Sequence, residues 1–164
     1  MTTGQHDKNI SARIHLFYRV FFLYVEPFFI CLGALYAGAW PTTYLRLTDT
    51  LSAPLADSAA LPVGTHVALR QLANLYLLFA VNEALVLRAT NDLRVWRTLL
   101  FGLLLADLGH LYSLLPLGVG VFWEIHRWNQ MDWGNVAFVY LGAASRIAFL
   151  AGLGVTASNW GKKE

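Results

Sequence analysis

The sequence predicts an all-α protein: a four-helix transmembrane bundle running up-down-up-down, with both termini cytoplasmic. Three observations predict it. Hydrophobic residues make up 57% of the chain and charged residues only 13%, against about 25% charged in an ordinary soluble domain. Four greasy stretches, at about 14–40, 66–87, 95–117 and 133–158, each hold the ~20 residues that a helix needs to cross the hydrocarbon core. No long stretch alternates polar and apolar residues as the strands of a membrane barrel would.

The elements follow in order. Residues 1–13, "MTTGQHDKNISAR", are polar and read as a disordered N-terminal tail. The first span, from Ile14 to Trp40, is too long for a signal-peptide core and reads as a retained span. Residues 41–64 hold three prolines and many small polar residues, and read as a partly ordered cap. The second span covers 66–87, and the charged "RATNDLR" at 88–94 turns the chain. The third span covers 95–117. "GVGVFWEIHRWNQMD" at 118–132 reads as an aromatic interfacial loop, with Glu124, His126, Arg127 and Asp132 solvated. The fourth span covers 133–158, and 159–164 is a C-terminal tail. Residues 14–158 thus form one membrane domain.

Orientation follows from Lys and Arg. Four spans place both termini and the 88–97 turn on one side. That side holds Lys8, Arg13, Arg19, Arg88, Arg94, Arg97, Lys162 and Lys163, eight cations, against Arg46, Arg70 and Arg127 on the other. The excess puts the termini in the cytoplasm of a multi-pass protein, with the endoplasmic reticulum as the expected membrane. The net charge of +2, with no basic run, argues against a nucleic-acid partner. Cys31 is the only cysteine, so no internal disulfide can form.

Every span carries polar groups: Glu26 before Pro27, then Gln71, Asn74, Asn82 and Glu83, then Asp107 and His110, then Asn135 and Arg146. An ionised side chain at the bilayer centre costs about 2.5–3.5 kcal/mol even on the lenient insertion scale, so these groups are expected to face inward and pair. Glu26, Asp107 and Arg146 fall near the midpoints of their spans and are expected at one depth. Asp107 and His110, three apart, share a helix face. Gln71, Asn74, Leu78 and Asn82 form another row, with Glu83 one step round. Pro27 opposes the carbonyl of Leu23 and is expected to kink the first span.

Each residue has a plain reading and a chemical one. Glu26 or Asp107 can be an ion lock for Arg146. Gln71 and Asn74 can join helices by hydrogen bonds. His110 can donate to a backbone carbonyl, and Glu83 can pair with Arg88. Gly33, Gly38, Gly102, Gly109, Gly142 and Gly152 can allow close helix contact. The chemical reading uses two acids in different protonation states. Asp107 and Glu26 form the acid/base pair, His110 and Asn74 orient a water or hydroxyl, and Arg146 keeps one carboxylate charged. Glu83, Gln71, Tyr76, Tyr112, Trp133 and Asn135 are candidate substrate contacts, and Phe101 and Phe138 are further aromatic linings for a developing cation. No HExxH-type zinc signature, nucleophile elbow or phosphate-binding glycine pattern occurs, so neither a metal nor a cofactor is expected.

"VEPFFICLGA" (25–34), "RQLANLYLL" (70–78), "VLRATND" (86–92), "LLADLGHLYSL" (104–114), "WNQMDWGNV" (128–136) and "SRIAFLAGL" (145–153) together resemble a fungal family of small four-span membrane proteins. The resemblance extends to the membrane epoxide hydrolase/cyclases of fungal polyketide clusters, of the citreoviridin and aurovertin kind. It places the family's recurring polar residues at Glu26, Gln71, Asn74, Asp92, Asp107, His110, Trp133, Asn135 and Arg146. It implies a hydrolase or cyclase that opens epoxides on a lipophilic polyketide or isoprenoid in secondary metabolism. The chain is similar in style to the larger membrane terpene cyclases, but is shorter by several spans and does not align with their acid motifs. A sterol-isomerase-like or lipophile-binding four-span protein and a purely structural one are the alternatives. The expected partners are the bilayer and a lipophilic small molecule, and a homo-oligomer is left open.

Overall fold

The computed structural model describes residues 12–54 and 60–157. The expected N-terminal tail lies outside these residues up to position 11, as does the C-terminal tail at 159–164. Five helices carry the fold: α1 (Leu16–Ala39), α2 (Pro41–Thr48), α3 (Val63–Ala89), α4 (Leu93–Ser113) and α5 (residues 130–150). Two short strands, β1 (Ala12–Ile14) and β2 (Val155–Ala157), pair antiparallel, with Ile14 opposite Val155. Among the described residues the fold is therefore all-helical apart from this clasp, and Ala12 and Arg13 belong to a strand rather than to a disordered tail.

Leu16–Ala39, Val63–Ala89 and Leu93–Leu117 are each long and apolar enough to cross a membrane. Their outward faces agree, since Phe28, Leu85 and Leu105 are all more than half exposed. Apolar surface on that scale is unusual for a soluble monomer. The α5 helix is about 31 Å long at ~1.5 Å per residue, but carries Asn135 and Arg146 and is not among those three.

Local chemistry sets the ends. Asp92 caps α4, its side chain accepting from the Arg94 amide at 2.7 Å. Asn129 and Asp132 form a capping box at the start of α5, so Asp132 holds a helix start rather than lying free in a solvated loop. The helix in the fourth greasy stretch ends at Leu150. The Gly152 amide donates to the Phe149 carbonyl and the Leu153 amide to the Ala148 carbonyl. With Gly152 at φ +86°, this is a Schellman stop, and glycine adopts that left-handed backbone without a Cβ penalty. Within residues 41–64 the structure has α2, which begins on Pro41, a favourable first helical residue.

Three helices contain a widened π turn: Phe21–Val25 in α1, Asn82–Val86 in α3 and Trp133–Phe138 in α5. The first ends at Val25, two residues before Pro27, whose ring cannot fit the regular i→i−4 ladder.

α1 packs along α3, and α4 along α5. One buried cluster gathers Tyr18, Phe21, Phe22, Leu87, Trp96, Leu100 and Phe149. A second joins Ala37, Tyr44, Leu69 and Ala73, with Met131 packed against it. Between them lies a layer of charge.

Candidate functional site: four charges beside an apolar cavity

Arg146 of α5 is 2% exposed and reaches one carboxyl from each of the other long helices. Its Nη1 donates to Asp107 Oδ2 on α4 at 2.7 Å. Its Nη2 donates to Glu26 Oε1 on α1 at 2.7 Å and to Glu83 Oε1 on α3 at 2.8 Å. The guanidinium also lies 5.6 Å from the centre of the Phe22 ring, a cation–π distance. Gly142, one turn before Arg146, clears the space. A Cβ there would sit 2.7 Å from Arg146 Nη1 and 3.0 Å from Glu26 Oε1.

The cluster is electrically neutral only when two protons are held among its three carboxyls. Each further charge left uncompensated in a dry interior costs several kcal/mol. Glu26 Oε2, Glu83 Oε2 and Arg146 Nε are buried without a hydrogen-bond partner, so the cluster is incompletely satisfied, a condition native cores rarely leave without a role.

A cavity of about 380 Å³ opens on one side of this layer. Glu26, Asp107 and Arg146 form its polar wall, and Phe29, Tyr36, Tyr44, Tyr76, Phe79, Trp133 and Phe138 supply aromatic surface. The volume suits a small lipophile. His110 also lines it, with Nε2 at 3.1 Å from the Asn135 carbonyl oxygen. A carbonyl only accepts, so Nε2 carries the proton, and in a neutral ring Nδ1 is left as an acceptor. Tyr44 and Tyr76 both line the cavity, and burial pushes the Tyr44 phenol up, so it stays protonated.

The expected residues divide cleanly. Glu26, Asp107, His110, Arg146, Tyr76, Trp133, Asn135 and Phe138 line the cavity. Glu83 was expected to touch substrate or to pair with Arg88. Instead it is fully buried against Arg146, does not line the cavity, and completes the charge cluster. Arg88 instead lies over the Tyr24 ring at 4.9 Å. Asn74 and Gln71 are corrections too: both are exposed and outside the cavity. α3 buries Leu69, Ala73, Ala80, Glu83 and Leu87, and at about 100° per residue that stripe lies roughly opposite the Gln71–Asn74 row. Tyr112 and Phe101 are 74% and 53% exposed and do not line this cavity.

Sequence reasoning missed Tyr36, Tyr44 and Phe79. Phe29 and Tyr36 lie on the same side of α1 as Gly33, seven residues apart. Pro41, placed for a helix start, was the signal for the helix that carries Tyr44. Of the glycines expected at contacts, Gly33 packs on Tyr76 and Gly38 on Ala73, whereas Gly102 and Gly109 face open space. Among the described residues, no three His, Cys, Asp or Glu side chains are arranged to hold a metal ion.

The model of a family described as a domain of unknown function, DUF7704, matches residues 11–156. The chain belongs to the DUF7704 family. No curated protein and no solved structure matches it. The DUF7704 match spans the clasp almost to its end, all five helices, and every member of the charge cluster. The cluster and its cavity therefore lie wholly within the DUF7704 domain.

Proposed function

We propose that this chain is a membrane-embedded, cofactor-independent acid/base enzyme that opens epoxides on a lipophilic polyketide or isoprenoid. One observation carries the reading: Glu26 and Asp107, from different helices, share one guanidinium at the wall of an otherwise apolar, aromatic cavity. Asp107 is the more open of the two, its side chain 13% exposed. As a protonated acid it gives its proton to the epoxide oxygen while the carbon–oxygen bond breaks. Positive charge develops on carbon, facing the aromatic wall. Water or an internal hydroxyl forms the new carbon–oxygen bond and yields its proton to Glu26, held as a carboxylate by Arg146. The product is a diol or a cyclic ether, and one proton returning from Glu26 to Asp107 resets the site. The resemblance to fungal epoxide hydrolase/cyclases points the same way.

A four-span, up-down-up-down topology with cytoplasmic termini fits this reading. Three helices qualify as spans, and the β1–β2 clasp sets the start of α1 beside the segment that follows α5. A chain that leaves and rejoins one face crosses an even number of times, which favours α5 as the fourth crossing. Along α1 the order is aromatic cluster, Glu26, cavity, and along α3 it is reversed, as alternation requires. Arg19, Arg88, Arg94 and Arg97 gather at the clasp end, supporting a cytoplasmic assignment. We place the protein in the endoplasmic reticulum.

The surplus of carboxyls over cations favours a second reading. The same wall would hold an ammonium-bearing lipophile or protonate a double bond, as in a sterol-isomerase-like protein. The deciding experiment assays purified Asp107→Asn and Glu26→Gln, both still folded, against polyene epoxides and sterols. Losses of about 10²–10⁴-fold with epoxides are expected in both. Full turnover in both variants ends the mechanism, and turnover of sterols alone selects the second reading.

A further inference from the structure

Gln71 and Asn74 pose a problem that the cavity does not absorb. Both are exposed on α3, and neither has a hydrogen-bond partner among the described residues. Asn74 lies about 3 Å along the axis from the middle of α3, at ~1.5 Å per residue. That places its amide deep in the hydrocarbon, where an unmet donor and acceptor cost several kcal/mol.

The surroundings of these two amides are ordered. Val67, Gln71, Asn74, Leu78 and Val81, all before the π turn at Asn82–Val86, follow one another at spacings of 4, 3, 4 and 3. This is the a/d rhythm of a two-helix seam. Every member is exposed, with Val67, Leu78 and Val81 between 48% and 52%. The seam points away from the bundle, nearly opposite the stripe that packs on α1.

We propose that α3 pairs along this seam with α3 of a second copy of the chain, forming a dimer in the membrane. Copies inserted in one orientation present parallel α3 helices, so each seam residue meets its own equivalent across a two-fold axis. A side-chain amide carries both a donor and an acceptor on one rigid plane, so two copies of the same amide can satisfy one another. Asn74 and Gln71 are therefore each satisfied by an identical partner, and this self-complementarity selects a second copy over an unrelated helix. Buried amides of this kind fix register and stoichiometry.

The test uses the full chain in lipid vesicles. Cys31 is the only cysteine, so a Cys31→Ser background is clean. In it, Leu78→Cys on the seam and Leu105→Cys, exposed on α4, are oxidised separately. The expected result is a cross-linked dimer from the first and none from the second. Single-molecule photobleaching then counts copies for the native chain and for Gln71→Leu/Asn74→Leu, which is expected to associate about tenfold more weakly. A native chain that is monomeric, equal cross-linking at both positions, or unchanged association of the double variant overturns the proposal. Because the substitutions are outward and apolar, the fold is expected to survive them, and an unchanged melting temperature checks this.

Discussion

Glu83 and Arg146 meet where solvent does not reach: Nη2 donates to Oε1 at 2.8 Å between side chains that are 0% and 2% exposed. Glu83 stands behind the cavity wall rather than in it, so its role in stability can be separated from any role in chemistry.

Removing the cation should therefore be far worse than replacing this acid by its amide. Arg146→Met leaves three carboxyls without a counter-ion and is expected to cost about 3–5 kcal/mol. Glu83→Gln keeps an acceptor for Nη2 and is expected to cost about 1–2 kcal/mol. Thermal unfolding of the two variants in one detergent ranks them, and the reverse order would contradict the shared-guanidinium arrangement.

Gly142→Ala tests the cluster without changing its charges. The new methyl would crowd Arg146 Nη1 and Glu26 Oε1, and overpacking of this kind costs about 1–3 kcal/mol. A fall in melting temperature together with lost epoxide turnover is expected. Retention of both would mean the cluster has room that its geometry denies.

Ala106 lines the cavity but is not part of the charge layer. Ala106→Phe should fill much of the volume and abolish binding of a fluorescent lipophile while leaving the melting temperature within a few degrees. Undiminished binding would place the lipophile elsewhere.

Asp92 and Asn129 cap α4 and α5 by accepting backbone N–H bonds. Asp92→Ala and Asn129→Ala should each cost about 1 kcal/mol, seen as about 2–4 °C in melting temperature, with turnover per folded molecule unchanged. A turnover defect in Asp92→Ala would give that residue a part beyond the cap.

Much of this was legible beforehand, and the misses have physical causes. Glu26, Asp107 and Arg146 sit at the midpoints of apolar runs, and a charge at that depth must find a partner. Their convergence follows from burial cost alone. Glu83 was harder. It lies within a π turn, where regular helical spacing fails, and the more polar Gln71–Asn74 row lies on the opposite side of α3. Counting polar residues identifies a face that avoids lipid, yet it cannot tell a face turned toward the molecule's own interior from one left outward. The end of α5 was missed for a simpler reason. Hydropathy continues smoothly through Leu153 and Val155, while the left-handed backbone at Gly152 stops the helix.

The widened turns at Phe21–Val25, Asn82–Val86 and Trp133–Phe138 carry a further consequence. Deleting one residue from such a turn would restore a regular helix and swing everything beyond it by about 100°. The meeting of Glu26 and Glu83 with Arg146 is thus written in the length of the chain as much as in its letters. A shortened variant with every functional side chain intact would leave those side chains facing different directions.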